Sequence, residues 1–495
     1  MRYSLTHSFR HPQFNLRRHR TLQYLLLACV CCILSSTLLG CGQKSSRPNI
    51  ILFVLDTVRR DATGLGSENS RWQNLTPHLD RLAAEGTAYP HAWATAPWTV
   101  PSHASIFTGL LPLTHGCIAK HPQLGKVGPT SAELLADAGY ATAAFFSNPW
   151  LTDRTTGLLR GFELRQETPI GGLTKLTGDE GDQGGRQIIR NAAHWLHNRN
   201  KSEPFFVFVN ILEAHMPYDP PADYRKRYLP HLPEDAGVPI AWAHEYNAEL
   251  HPDDTVDWQA IWDLYAGDVN YADWLLGELI NILKQMNLYE ETVLIITSDH
   301  GENLGEHRLV EHQFSIHETL LAVPLVIHAP ESTLPHGIRL EPVMLTDLYP
   351  TILDLAGISY ASLPSQGLSL LKDHASRTEE RPLFADYSDP SRVLLKMLQD
   401  LNPSLDMRRF TPAWRTVRVG NLRLTAGSDG TILLHNLESD PGQKNNLAGS
   451  QPGSVRLLAN ILQKAESAKR EEIHEEELQL DPQTREQLRS LGYIR

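Results

Sequence analysis

Two acids and a histidine stand where this chain could do chemistry. Asp56 closes the apolar run Asn49 to Asp56 (NIILFVLD), and Asp299 with His300 follows the apolar run Thr292 to Ser298. Such continuous runs read as strands buried on both faces of a parallel sheet. In an open parallel sheet ligands bind beyond the carboxyl ends of the strands, so the three side chains converge on one edge. Two carboxylates and an imidazole there begin a divalent-cation site that needs one or two more ligands. An Asp ending a strand also serves as a helix cap or loop residue, and the pattern alone leaves both readings open. The segment Pro97 to Gly109 (PWTVPSHASIFTG) supplies a third element. Pro101 followed by small helix formers predicts a helix starting there, which puts Thr99 just before a positive helix end. A hydroxyl in that place, near a cation, can lose its proton and act as a nucleophile. The other reading is a plain N-cap threonine.

The elements that must hold these residues alternate along the body. Thr76-Pro77, then His78 to Glu85, then Gly86 carry an N-cap, a first-turn proline and a closing glycine, which predict a helix. Helix Ser131 to Ala138, strand Ala141 to Phe146, strand Pro204 to Ile211, helix Asp268 to Met286 and strand Pro324 to Ala329 extend the pattern. Strands interleaved with helices predict a doubly wound, mostly parallel α/β sheet. Two loop-rich stretches, 171–185 and 217–237, are expected to shape a site. Later, Trp414 to Leu424 and Thr431 to Leu437 alternate around Gly427-Ser428-Asp429-Gly430, the signal of a small antiparallel sheet. From Gly453 the chain reads as a charged helical tail whose Glu471, Glu472 and Glu475 to Glu477 form a solvated face.

The start is basic and free of acids, then Tyr24 to Leu34 is apolar, then Ser35-Ser36-Thr37 leads into Leu38-Leu39-Gly40-Cys41. That order reads as an export signal. Its ending resembles a bacterial lipobox, in which cleavage leaves a lipid-modified Cys41. An uncleaved anchor, Leu22 to Leu39, is the alternative, and both put the body outside with the membrane as partner. The expected organisation is a lipoprotein-type signal peptide (1–40), a tether (41–47), a catalytic α/β domain (48–375), a small antiparallel sheet (376–452) and the tail (453–495). Of the five cysteines only Cys117 lies in the body, so there is no disulfide framework. Losing the five arginines of the signal takes the net charge from −12 to −17, which argues against nucleic acid as a partner.

Six ordered blocks resemble the sulfatase branch of the alkaline-phosphatase superfamily, over nearly all of the mature chain. They are Arg47-Pro48-Asn49 through Asp61, Thr99-Val100-Pro101-Ser102-His103 through Gly109, Glu213 through Tyr218, Thr297 through Glu302, Val323-Pro324-Leu325, and Leu437 through Leu447. The resemblance implies an alkaline-phosphatase-like α/β fold. It makes Asp56, Asp299 and His300 metal ligands, and Thr99 both ligand and nucleophile position. His215 and His312 fall where the family contacts the transferred group or the leaving oxygen, and Arg59 would be a support. His115, His121, His307 and His317 receive no role.

The departures from that pattern carry the functional expectation. Sulfatases of this branch place Cys, or sometimes Ser, at the position of Thr99 and convert it to formylglycine. Thr99 has a methyl on Cβ and cannot become that aldehyde, so no formylglycine is expected. His103 replaces the basic Arg of the motif and Thr57 replaces the second Asp, while His300 stands where many relatives have Asn. The ligand set is less charged and softer, which leaves Ca²⁺, Mn²⁺ and Zn²⁺ all open. Threonine at this position resembles the superfamily's phosphodiesterases and phosphoryl-headgroup transferases. The expected function is a metal-dependent hydrolase of phosphate mono- or diesters outside the cytoplasm, its particular ester unnamed. The alternatives are a sulfatase proper, a headgroup transferase on envelope lipid or glycan, and a catalytically silent metal-binding relative.

Overall fold

The computed structural model describes residues 47–66, 71–152, 154–170, 181–230, 237–330, 334–372, 378, 380–466 and 481–491. The expected signal peptide, nearly all of the tether, the acidic stretch 471–477 and parts of both expected site loops lie outside these residues. Pro48–Arg495 form one compact unit. Among the described residues no helix is long and apolar enough to cross a membrane.

The apolar runs become strands because a fully buried strand needs apolar side chains on both faces. They are β1 (Asn49–Leu55), β3 (Ala141–Phe146), β5 (Phe205–Ile211), β6 (Thr292–Thr297) and β7 (Leu325–His328), and the short β2 (Thr87–Ala88), the polar, half-buried β4 (Leu164–Glu167) and the exposed β8 (Gly337–Ile338) complete the sheet. Their order in the sheet is β8-β2-β7-β6-β1-β5-β3-β4. β1 lies at the centre, parallel to β5 and β6 on either side. The sheet is mostly parallel, with one exception: β7 runs antiparallel to both β6 and β2.

Helices cover both faces in two mutually packed groups. One contains α1 (Pro77–Glu85), α5 (Gly185–Asn198) and α6 (Trp258–Gln285); the other contains α2 (Thr99–Thr108), α4 (Ser131–Asp137) and α7 (Leu348–Leu355), with the single turn α3 (Pro112–His115) beside α2. α1 has the expected bounds, N-cap Thr76 and closing Gly86, whereas two helix starts are corrected. α6 starts ten residues before the expected Asp268, capped by the Asp257 side chain on Ala260 N–H. α2 starts at Thr99, with Trp98 at the N-cap, so Thr99 is the first helical residue and the N-cap reading fails. Pro101 falls inside the first turn, where a missing N–H leaves no intrahelical bond unmade. At α1 the Thr76 hydroxyl bonds Asp80, and the helix end is capped instead by Asp273 of α6, which accepts from His78 and Leu79 N–H at 2.9 Å each.

The second sheet is antiparallel: β9 (Leu383–Tyr387), β10 (Trp414–Val419), β11 (Leu422–Gly427) and β12 (Ile432–Asn436) in that order. The expected single run Trp414 to Leu424 is two strands, turned at Gly420, whose φ of 56° is left-handed. Helix α8 (Pro452–Glu466) lays Leu458 and Leu462 on this sheet against Val417, Leu424 and Leu434. Helix α9 (Pro482–Ser490) packs on the turn Pro149–Leu151, burying Leu488 completely. Its N-cap Asp481 lies 3.5 Å from Arg154.

Candidate active site

The carboxyl edge of the central strands collects every residue singled out from the sequence. Asp56 follows β1, and Asp299 and His300 follow β6. One ligand atom from each lies within 4.8 Å of the others, and all three residues are fully buried. Each is tied on one side and bare on the other. Asp56 Oδ2 accepts from Asn148 Nδ2 (2.9 Å) and Asn210 Nδ2 (3.1 Å). Asp299 Oδ1 accepts from His300 N–H (3.0 Å) and Thr57 N–H (3.4 Å). The Nδ1–H of His300 donates to the Gly301 carbonyl at 2.9 Å, which leaves Nε2 with only a lone pair.

What remains is Asp56 Oδ1, Asp299 Oδ2 and His300 Nε2, buried and without a hydrogen-bond partner among the described residues. Nε2 is 3.3 Å from Asp299 Oδ2 and 4.0 Å from Asp56 Oδ1. Three buried polar atoms converge there with no donor from the rest of the protein, and a cation bound among them would satisfy all three. The donor set therefore fits a divalent ion. The acids are driven apart in proton affinity. Burial and the adjacent Asp56 charge hold Asp299 well above the usual carboxylate range. Burial opposes ionisation of Asp56 too, but the fields of His300, His215 and His103 and the Asn148 bond pull it below that range. Burial, with His312 nearby, pushes His300 far down, so its imidazole is neutral and ready to ligate.

Thr99 sits at this centre because α2 begins under it. Its Oγ1 accepts from Asn148 Nδ2 at 3.2 Å, so one amide bridges the Thr99 hydroxyl and the Asp56 carboxylate. The first-turn N–H groups of α2 add positive potential at the same place. His103, one turn on, donates Nδ1–H to the Thr99 carbonyl (2.9 Å) and lies 3.4 Å from Asp299 Oδ2. Ser102 Oγ donates to the Asp299 carbonyl at 2.6 Å. His215 and His312 stand together, ring centroids 5.0 Å apart, and His312 is 4.6 Å from His300. Glu302 Oε1 lies 3.2 Å from His312 Nδ1, and burial raises that carboxyl to about 8. Burial and the neighbouring His215 push His312 well below the usual histidine range.

Arg59 is a strut rather than a surface charge. It is buried, forks onto both oxygens of Asp61 (2.8 and 2.7 Å), and reaches Glu306 (2.7 Å) and the Glu302 carbonyl (3.2 Å). It ties the exit of β1 to the segment that carries His312. Thr57 is left-handed at φ 60°, unusual for a β-branched residue, and that conformation turns its N–H to Asp299.

Sequence reasoning missed Asn148, Asn210 and Glu302 as parts of the site. Asn210 had a signal, since it interrupts the apolar run FFVFVNI of a strand buried on both faces. Asn148 follows β3 at the same sheet edge as Asp56, two residues past the strand. Glu302 lies inside a quoted block but was given no task.

The chain is similar to known proteins along most of its length. A family model described as Sulfatase matches residues 48–358. An arylsulfatase of Clostridium perfringens (strain 13 / Type A) is 25% identical over 468 residues, covering 83% of this chain and 92% of that protein. The phosphonate monoester hydrolase of Agrobacterium radiobacter superposes with a TM-score of 0.68 at 20% identity, covering 84% of this chain and 95% of that one. A protein solved in complex with its substrate D-glucosamine-2-N,6-O-disulfate gives 0.66 at 19% identity, over 86% and 100%. The family match covers well over half of the chain and takes in Asp56, Thr99, His215, Asp299, His300 and His312: the chain belongs to the sulfatase family and is a hydrolase of that family.

Proposed function

We propose that this hydrolase cleaves phosphate mono- or diesters outside the cytoplasm, with Thr99 as the nucleophile. The observation that carries the reading is the shared Asn148 amide. It donates to both Thr99 Oγ1 and Asp56 Oδ2 at the start of α2, which supports a role for that hydroxyl beside the acid, and a threonine there has no route to a formylglycine. Asp56, Asp299, His300 and Thr99 are the residues that hold a divalent ion, Ca²⁺, Mn²⁺ or Zn²⁺. When bound, that ion supplies Lewis-acid charge that favours the Thr99 alkoxide and neutralises the oxygens of the transferred group.

The protein's own groups do the rest. Asn148 orients Thr99 Oγ1, and His103 fixes the first turn of α2 through the Thr99 carbonyl. The Thr99 Oγ–P bond forms as the ester P–O bond breaks. The imidazole of His312 or His215 takes up the Thr99 hydroxyl proton and gives it to the departing oxygen; water then attacks phosphorus, passes a proton through the same imidazole to Thr99 Oγ1, and releases Thr99. Burial keeps this imidazole chemistry away from bulk water. The solved relatives act on a phosphonate ester and on a sulfated sugar, so the fold accommodates both tetrahedral groups.

The test is a panel of aryl phosphate monoesters, diesters, phosphonates and sulfates, each with Ca²⁺, Mn²⁺ or Zn²⁺, followed by mass mapping of the protein. Expected are a phosphate adduct on Thr99 and a loss of at least about a thousandfold in kcat for Thr99→Ala. Wild-type turnover by that variant sinks the mechanism, and sulfate cleavage with no phosphate activity replaces it with a sulfatase reading. We also propose attachment to the outer side of a membrane through lipid on Cys41. Intact-mass analysis of the membrane fraction then finds a chain that begins at a diacylglyceryl-modified Cys41, and a chain that still carries residues 22–39 means an anchor segment.

A further inference from the structure

Outside the site, a second cluster of basic side chains went unassigned. Residues 307–317 carry His312 toward the catalytic edge, and other residues of the same segment line a cavity of about 150 Å³ against the small sheet. The wall is largely apolar, with Phe314, Ile316, Trp414 and Leu433. An apolar cavity of that volume holds a body about the size of a benzene ring. Its charged lining is two guanidiniums, Arg409 and Arg423, while burial holds the imidazoles of His307, His317 and His435 below the usual histidine range. His307, His317, Arg409, Arg423 and His435 face it, and none of the described lining residues is acidic.

The nearby acids are already engaged. Glu318 is shared by two guanidiniums, Arg418 at 3.3 Å and Arg423 at 3.5 Å. Arg409 gives Nη1 to Glu249 (3.0 Å) and Nη2 to the His307 and Arg308 carbonyls (2.7 and 2.6 Å), so its Nε–H is the donor that can turn to a ligand. Asp440 accepts from Lys444 and Asn445 N–H at 3.0 and 2.8 Å. Arg423 is 1% exposed, and the rings of His307 and His317 stack 3.6 Å apart at 8°. His435 is 4% exposed, and its Nδ1 has no hydrogen-bond partner among the described residues. An apolar recess with a few convergent polar groups is the usual form of a small-molecule site.

We propose that this recess binds an organic anion: a carboxylate or other oxyanion on an apolar body of one ring. The anion meets Arg409 and His435, and the ring lies against Phe314, Trp414 and Leu433. The recess is tied to the catalytic edge, because Ser315 in its wall accepts from Asn303 Nδ2 (3.3 Å), three residues past His300. The anion is therefore carried either on the remote end of the ester substrate or on a separate small molecule.

Calorimetry on the detergent-solubilised full-length chain, with benzoate as the probe, tests this. One saturable site is expected. Benzyl alcohol, with the ring and no charge, and inorganic sulfate, with charge and no ring, should each bind at least tenfold more weakly. Leu433→Trp, which fills the cavity and removes no charge, and Arg409→Gln should each weaken benzoate at least tenfold; His435→Leu stands in for either that fails to fold. No saturable benzoate binding, equal binding of benzyl alcohol or sulfate, or unchanged binding in the variants overturns the proposal. The titration is repeated on Thr99→Ala, so a failed ester assay leaves it readable. Where aryl phosphate turnover is measured, competitive inhibition by benzoate places the anion on the substrate, and noncompetitive inhibition places it on a separate molecule.

Discussion

Asn148 donates to two oxygens at once, and its removal should be felt in turnover more than in folding. Asp56 keeps its second donor, Asn210, whereas Thr99 Oγ1 loses the amide that orients it. Asn148→Ala should lower kcat by about 10²–10³, the range for loss of one preorganised donor, with KM little changed. Steady-state kinetics on an aryl ester decides it. Asp299→Asn separates the cation from the fold. The amide places a donor opposite His300 Nε2, where two acceptors now lie 3.3 Å apart. In chelator the variant should be more stable than the parent. Added cation should stabilise the parent by about 2.7 kcal/mol at a hundredfold excess over Kd and leave the variant unmoved. Denaturant titration with and without Mn²⁺ checks both. A variant that still responds to Mn²⁺ contradicts the ligand assignment.

At the scale of elements, helix α2 is held from behind by a histidine. His115 Nε2 lies 3.1 Å from the Pro101 carbonyl and 3.2 Å from Ser105 Oγ, and its Nδ1 accepts from Cys117 N–H at 3.1 Å. That pattern requires the neutral ring, and burial takes its pKa down to about 3. The folded value lies below the unfolded one near 6.5, so between them the unfolded chain binds more protons. The stability from His115 is complete above pH 6.5 and falls as pH drops toward 3, by at most about 1.4 kcal/mol per unit. His115→Leu should be less stable at pH 8, with the gap to the parent closing on acidification. Urea denaturation at pH 8, 6.5 and 5 measures it.

The same scale shows what the sequence could reveal. Continuous apolar runs located β1, β3, β5 and β6 to within a residue, because burial on both faces leaves no other composition. Placement of Asp56, Asp299 and His300 followed from those ends. Helix starts were harder to place. Gly267-Asp268 imitates the beginning of a helix inside α6, and Pro101 imitates a first residue while standing third in α2. The segment 307–314 was unreadable for a physical reason: His307, Arg308, Glu311 and Phe314 all adopt left-handed φ of 54–65°, which no local propensity announces. Tertiary contacts impose that path, and with it the meeting of His312, His215 and Glu302.

For the whole molecule, the active centre depends on a helix remote from it in the chain. Asn148 immediately precedes the turn Pro149–Leu151 on which α9 packs, with Leu488 in the main core. Asp56, Asp299 and His300 follow the central strands, whose principal packing partners do not include that helix. Deleting residues 481–495 should therefore depress kcat by at least tenfold while sparing the stabilisation by Mn²⁺, and the two assays together check it. A deletion that loses both means α9 supports the whole fold. There is a temporal side to this brace. Asn148 leaves the ribosome more than three hundred residues before the helix that steadies it. A nascent chain can fold its sheet edge yet lacks the helix that packs behind Asn148, so full hydrolysis is expected only once synthesis has passed Ser490.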